Sequence, residues 1–265
     1  MVAALDEEWD SLTALGATLD PEDWERPTAC PGWSVKDNYA HIIGGESMVL
    51  GRPAPQVEVP PDLPHVRNAM GQLNQAWVEA SRSKSAQQML AELDEVITQR
   101  RAAVAQQDQA DFDAPSWTPA GDDTYGRLMA IRVMDQWFHE QDIREATGRS
   151  GHLEGLAPDV VLDEVGAALG YVVGKQAGFP SSTSLRIELT APMARVYDIV
   201  VTDRARIVDG LADEPTVRLT MPGATFCRLA GGRRPWDDPE IRPLIGIEGD
   251  TNLGEQLLSN VAYLP

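Results

Sequence analysis

Near residue 180 the apolar residues of this chain change period, and a chain with two periods must build two kinds of layer. Upstream, Leu5, Trp9, Leu12 and Leu15 recur at steps of three and four, the spacing that gathers one face of a helix. Similar spacing predicts helices over about 2–18, 34–50, 65–81, 86–106, 124–146 and 159–176. Asp20-Pro21 stops the first, and Ser34 with Asp37 three residues later gives the second a capping-box start. Five prolines between Gly51 and Pro64 mark an extended connection, and 111–123 reads as loop. Downstream of Phe179-Pro180-Ser181-Ser182, Leu185, Ile187 and Leu189 alternate with Arg186 and Glu188. Val196–Val201, Thr216–Thr220 and Leu244–Ile247 add strands, with short helices near 225–230 and 252–260. The expected fold is α+β in two domains: a helical bundle over 1–180 and a smaller α+β domain over 181–265.

A length of 265 residues leaves room for two cores. Lys and Arg number 22 against 41 Asp and Glu, a net charge of -19 that repels phosphate backbones, so nucleic acid is not an expected partner. No apolar run approaches the roughly 20 residues of a bilayer crossing, so no membrane is expected either. Asp6, Glu7, Glu8 and Asp10 occupy the start where a secretory signal would be basic, and a cytoplasmic location is expected. Cys30 and Cys227 are too few and too far apart for a disulfide framework or a zinc ribbon; two reduced thiols are expected.

The chemistry concentrates on the helix around His139. At about 100° per residue, Leu128, Arg132, Asp135, His139, Asp142 and Ala146 fall in one stripe, while apolar side chains cover most of the remainder. Little of this helix suits water, so its ionisable groups face the bundle interior, where charges are paired or bound to metal. Asp135 and His139, at i and i+4, offer a carboxylate oxygen and an imidazole nitrogen to one ion. His41, on the capped second helix, is the candidate third ligand; His65 and His152, at a helix entrance and in a turn, are poorer ones. Gly44 and Gly45 lie beside it, and two helical glycines imply that something approaches the backbone closely. Three ligands leave one position open, the arrangement of a catalytic site. The plainer alternative is a surface Asp–His pair with Asp142 bridged to Arg132 or Arg144. Cys30 reads as packed, with no neighbouring cation evident to activate it.

Asp23-Trp24, the run Pro27-Thr28-Ala29-Cys30-Pro31-Gly32-Trp33-Ser34-Val35-Lys36-Asp37, and Ala40-His41-Ile42 resemble the opening of the mycothiol-dependent maleylpyruvate isomerase family. Val66-Arg67-Asn68 and Met134 to Arg144 resemble later family segments, the second its metal-binding helix. Gly232-Arg233-Arg234, Ile247-Glu248-Gly249-Asp250 and Leu257-Leu258-Ser259-Asn260 resemble the sterol-carrier-like domain that many members append. The resemblance implies a DinB-like four-helix bundle with zinc, or another divalent metal, on His41, Asp135 and His139. It also implies Asp142 as the essential acid, and an arginine of the second domain that completes the pocket and binds the cosubstrate. That arginine is taken as Arg233, although Arg228 and Arg234 are close. Asp135 departs from the family pattern, which often has Glu there.

The implied cosubstrate is mycothiol, a low-molecular-weight thiol, acting beside a small-molecule substrate. Zinc would stabilise its thiolate, which adds to a conjugated double bond; rotation and expulsion then give the trans isomer. Retention of the adduct would make the protein a mycothiol S-transferase instead. A third alternative is a non-catalytic protein binding a lipid or small molecule in its second domain.

Overall fold

The computed structural model describes residues 1–264, which form two compact units that divide between Ala157 and Pro158. The first contains α1 (Val2–Ala17), α2 (Val35–Val49), α3 (Ala69–Ser81), α4 (Ala86–Val104), the short α5 (Gln109–Asp113), a hairpin of β1 (Pro115–Thr118) and β2 (Gly121–Thr124), and α6 (Tyr125–Thr147). Helices α1 and α2 each pack against α4 and α6, making a four-helix bundle, and α3 lies on α2. Trp9, Leu12, Tyr39, Ile42, Met89, Leu93, Met129 and Trp137 are buried in this unit. Each fully buried large apolar side chain contributes about 1.5–3 kcal/mol.

The helix starts follow their sequence signals. Ser34 Oγ accepts from the Asp37 amide while Asp37 Oδ2 accepts from the Ser34 amide at 2.9 Å, the expected capping box on α2. Thr124 caps α6 through the Arg127 amide, and Gly148 ends it in the left-handed conformation, φ 68°. Helix α6 is buried along most of its length, as its two-sided apolar pattern requires. The stretch expected as loop at 111–123 instead carries part of α5 and the β1–β2 hairpin, whose largely exposed four-residue strands leave no apolar alternation to read.

In the second unit, α7 (Leu156–Tyr171, its first two residues still in the first unit) runs into a π-helical turn (Val172–Gln176). There follow β3 (Thr183–Thr190), β4 (Arg195–Val201), β5 (Ala205–Val208), β6 (Val217–Pro222), α8 (Gly223–Ala230), β7 (Gly246–Gly249) and α9 (Thr251–Leu258). The sheet order is β5-β4-β3-β6-β7, with β3 and β6 parallel and the other pairs antiparallel. Ile187 stands opposite Tyr197 on one side and Leu219 on the other, so one face of the sheet is apolar and buried. Helices α8 and α9 pack against β6.

Helix α7 also belongs to this layer. Tyr197 Oη donates to the Leu162 carbonyl at 2.6 Å, and a Cβ on Gly166 would come within 2.7 Å of the Tyr197 ring. The compact division therefore falls at 157/158 and not at the expected 180. The change of period marks where strands begin, whereas the change of packing partner comes one helix earlier. Among the described residues, no helix is long and apolar enough to cross a membrane.

Candidate metal centre

Helix α6 presents Asp135 and His139 one turn apart, and α2 presents His41 to them across the bundle. His41 Nε2 lies 3.1 Å from Asp135 Oδ2, and His139 Nε2 lies 3.7 Å from Asp135 Oδ1. The two imidazoles meet edge to face with centroids 4.5 Å apart. One ligand atom from each of the three residues lies within 4.8 Å of the others. Burial, against the pull of Asp135, lowers the His41 pKa from its ordinary value, which leaves a neutral imidazole with a lone pair to give. Burial also opposes the charge on Asp135, but His41 and Arg132 overcome it and hold this carboxyl well below the usual range. For His139, burial disfavours the charged form, yet Cys30, Asp142 and Asp135 prevail and push its pKa up to about 10. Surroundings that favour a proton on this ring equally favour a metal cation in the proton's place. Two imidazoles and an ionised carboxylate thus fit a first-row divalent ion.

Supporting groups fix the ligands. His139 Nδ1 donates to Asn38 Oδ1 at 2.8 Å, while Asn38 Nδ2 donates to Thr28 Oγ1 and to the Ser34 carbonyl. Because the amide nitrogen of Asn38 is committed to two acceptors, its oxygen must accept from His139, and Nε2 is left for the ligand position. Arg132 Nη1 donates to Asp135 Oδ2 at 2.7 Å and Arg132 Nε to Glu46 Oε1 at 3.0 Å. Glu46 is in turn bound by Gln136 and by the buried Arg100. The adjacent glycines now have separate reasons. A Cβ on Gly44 would come within 2.4 Å of the Trp77 ring, and one on Gly45 within 2.3 Å of the Arg132 guanidinium.

Residues 5–144, more than half of the chain, match the family model described as the mycothiol maleylpyruvate isomerase N-terminal domain. The chain belongs to the mycothiol maleylpyruvate isomerase family. Residues 159–256 match the family's C-terminal domain, so both units of this family member are accounted for. The structure is similar to a crystal structure of the mycothiol-dependent maleylpyruvate isomerase, with a TM-score of 0.58 and 14% identity over 88% of each chain. A mutant of that enzyme gives a TM-score of 0.55 and 13% identity, again over 88% of each chain. At such identities the likeness is one of fold. No curated protein sequence matched.

The other residues singled out from the sequence of this maleylpyruvate isomerase family member are placed as follows. Asp142 is buried, one turn beyond His139, with Oδ2 3.5 Å from His139 Nδ1. Arg132 turns to Asp135 and Glu46, and Arg144 to Glu140, so the plainer expectation of an Asp142 bridge to either is replaced by a different pairing. Cys30 Sγ donates to Asp142 Oδ2 at 3.1 Å and lies 3.7 Å from His139 Nδ1. The thiol is buried as expected, but the absence of a neighbouring cation does not hold, because a separation of 109 residues hid His139 from it. Trp33 covers both candidate imidazoles, with centroids 5.2 Å from His41 and 5.7 Å from His139. Gln75 Oε1 accepts from its indole at 3.0 Å and lies 3.1 Å from His65 Nε2. Arg233 is in the second unit, half-buried, with Nη1 donating to the Gly231 carbonyl. Asn38 and Trp33 are the site residues whose roles sequence reasoning missed; the three-residue spacing that puts Asn38 on one face with His41 was the available signal for the first.

Proposed function

We propose that this family member is a mycothiol-using metalloenzyme that isomerises a small cis ene-diacid of the maleylpyruvate type. The observation that carries the proposal is the buried set of His41, Asp135 and His139, with His139 locked by Asn38, in a member of a family with mycothiol-dependent isomerases among its solved folds. When bound, zinc or another divalent metal supplies a Lewis acid that lowers the pKa of an incoming thiol. Asp142 is the acid-base group: buried beside His139, it stands ready to take the thiol proton and return it later. The approach proposed for the thiol is a cleft of about 540 Å³ lined by Cys30, Trp33, Lys36 and Arg82, which reaches the residues that touch His139. Arg233 is proposed, on the family resemblance, as the cation for mycothiol or a substrate carboxylate.

In the reaction, the thiol sulfur forms a C–S bond to one alkene carbon, the former double bond rotates, and the C–S bond breaks to return the thiol and the trans diacid. The two cysteines are buried and unbridged, which suits a reducing cytoplasm and a chemistry that borrows its thiol. The test incubates the metal-loaded protein with mycothiol and a panel of cis ene-diacids, following products by mass spectrometry. Recovery of an unmodified trans isomer, lost in His41→Ala, supports isomerisation. Recovery of a stable thioether would make the protein an S-transferase, and no thiol-dependent turnover with any substrate would refute the enzymatic proposal.

A further inference from the structure

We propose that Glu8, Glu140 and His152 form a second divalent-cation site, buried in the helical unit and separate from the His41, Asp135 and His139 set. Their ligand atoms come from three segments: Glu8 from α1, Glu140 from α6 and His152 from the turn after α6. One atom of each lies within 4.8 Å of the others. His152 Nδ1 is 2.6 Å from Glu140 Oε2 and 3.7 Å from Glu8 Oε2. Glu140 follows His139 in sequence, so it points about 100° around α6 from the first set.

Two observations lift this cluster above a buried ion pair. Glu8 is fully buried, and neither of its carboxylate oxygens has a hydrogen-bond partner. A buried carboxylate without donors is among the costliest groups a protein can keep, and a cation removes that cost. The cluster also holds an acceptor that no cation outside it takes up. Glu140 Oε1 is already satisfied by Ser11 Oγ at 2.5 Å and by Arg144 Nε at 2.8 Å, while Oε2 faces only the cluster. Glu7 joins from the rim, its Oε1 3.3 Å from His152 Nε2. Glu7, Glu8 and Glu140 face the Arg144 guanidinium and the His152 ring, and a divalent ion would take the place of the protons that burial and the carboxylates otherwise favour on Glu8 and His152. The hydroxyl of Tyr39 is turned elsewhere, donating to the Leu12 carbonyl. One imidazole and two carboxylates suit zinc, manganese or cobalt better than calcium, which takes six to eight oxygens. Closed to solvent, such an ion would clamp α1, α6 and the following turn, with no role in turnover.

The experiment counts ions per chain after zinc loading and dialysis, and measures Tm with and without added zinc. The expected count is two for the unaltered chain, one for the His41→Ala/His139→Ala double variant, and none when Glu8→Gln is added to it. Zinc should raise the Tm of the double variant and leave that of the triple variant unmoved; His152→Asn serves as the third substitution if Glu8→Gln does not fold. A double variant that binds no zinc overturns the proposal, since a proton shared by Glu8 and Glu140 then suffices. So does one ion retained in the triple variant, which places that ion elsewhere. Neither outcome bears on the first site, whose failure would show as an equal ion count in the unaltered chain and the double variant.

Discussion

Gly45→Ala tests whether the guanidinium of Arg132 is a support of the metal centre. Alanine is the better helix former, and in an exposed helix interior the change would stabilise by about 0.5–1 kcal/mol. Here the new Cβ lies 2.3 Å from Arg132 Nη2 and 2.6 Å from its Cζ, so the group must retreat by about 1 Å to reach ordinary contact. Its bonds of 3.0 Å to Glu46 and 2.7 Å to Asp135 cannot both survive that displacement. Glu46 keeps Arg100 and Gln136, so no charge is stranded, and the loss stays near the overpacking range of about 1–3 kcal/mol, at most about 4. Set against the helical gain, a net destabilisation of about 1–3 kcal/mol is expected in urea denaturation. Asp135 also loses an anchoring partner, and the metal Kd should rise about tenfold or more. Gly44→Ala is the matched control: its Cβ would strike the Trp77 ring at 2.4 Å, which touches no ligand bond described above, so stability falls while metal affinity holds. A Gly45→Ala protein as stable as the parent with unchanged metal Kd would refute the support role of Arg132.

Asn38→Ala removes the acceptor that fixes His139 and should weaken metal binding about 10- to 100-fold, measured by competition with a chromophoric chelator. Asp142→Asn should keep the metal and the fold while turnover drops at least about tenfold; near-normal turnover would make Asp142 structural. Arg233→Met should raise KM for mycothiol or substrate with metal content intact. Glu7 is held below its ordinary pKa because the amides of Ala157 and Leu156 and the His152 ring outweigh burial. A group depressed in the fold gives stability that is present above the unfolded value near 4.5 and lost as pH falls through the folded value. The Tm advantage of the parent over Glu7→Gln should therefore be full at pH 6–7 and vanish towards pH 3.

What the sequence makes legible here depends on distance along the chain. The Ser34–Asp37 cap and the α6 stripe are relations between residues three or four apart, and helical geometry turns such spacings into faces without further information. His41 was within reach because few histidines were available and its helix was capped. The boundary at 157/158 was not legible, because Gly166 and Tyr197 meet only once the sheet has formed. Strand β5 is four residues at the sheet edge, too short and too exposed to leave a period.

The paired glycines show the same limit from the other side. Sequence alone says that a Gly44-Gly45 step in a helix is costly and must be offset by a close approach, but it names no partner. The structure supplies two: Trp77, 33 positions on, and Arg132, 87 positions on. Only the second leads to the proposed metal ligands, through Asp135, so one glycine is a matter of packing and its neighbour of the placement of that candidate set. The site is therefore specified twice. Local spacing on α6 chooses the types of the proposed ligands, and long-range packing across α2 chooses their orientation. Substitutions of the second kind should change metal affinity while leaving every ligand in place.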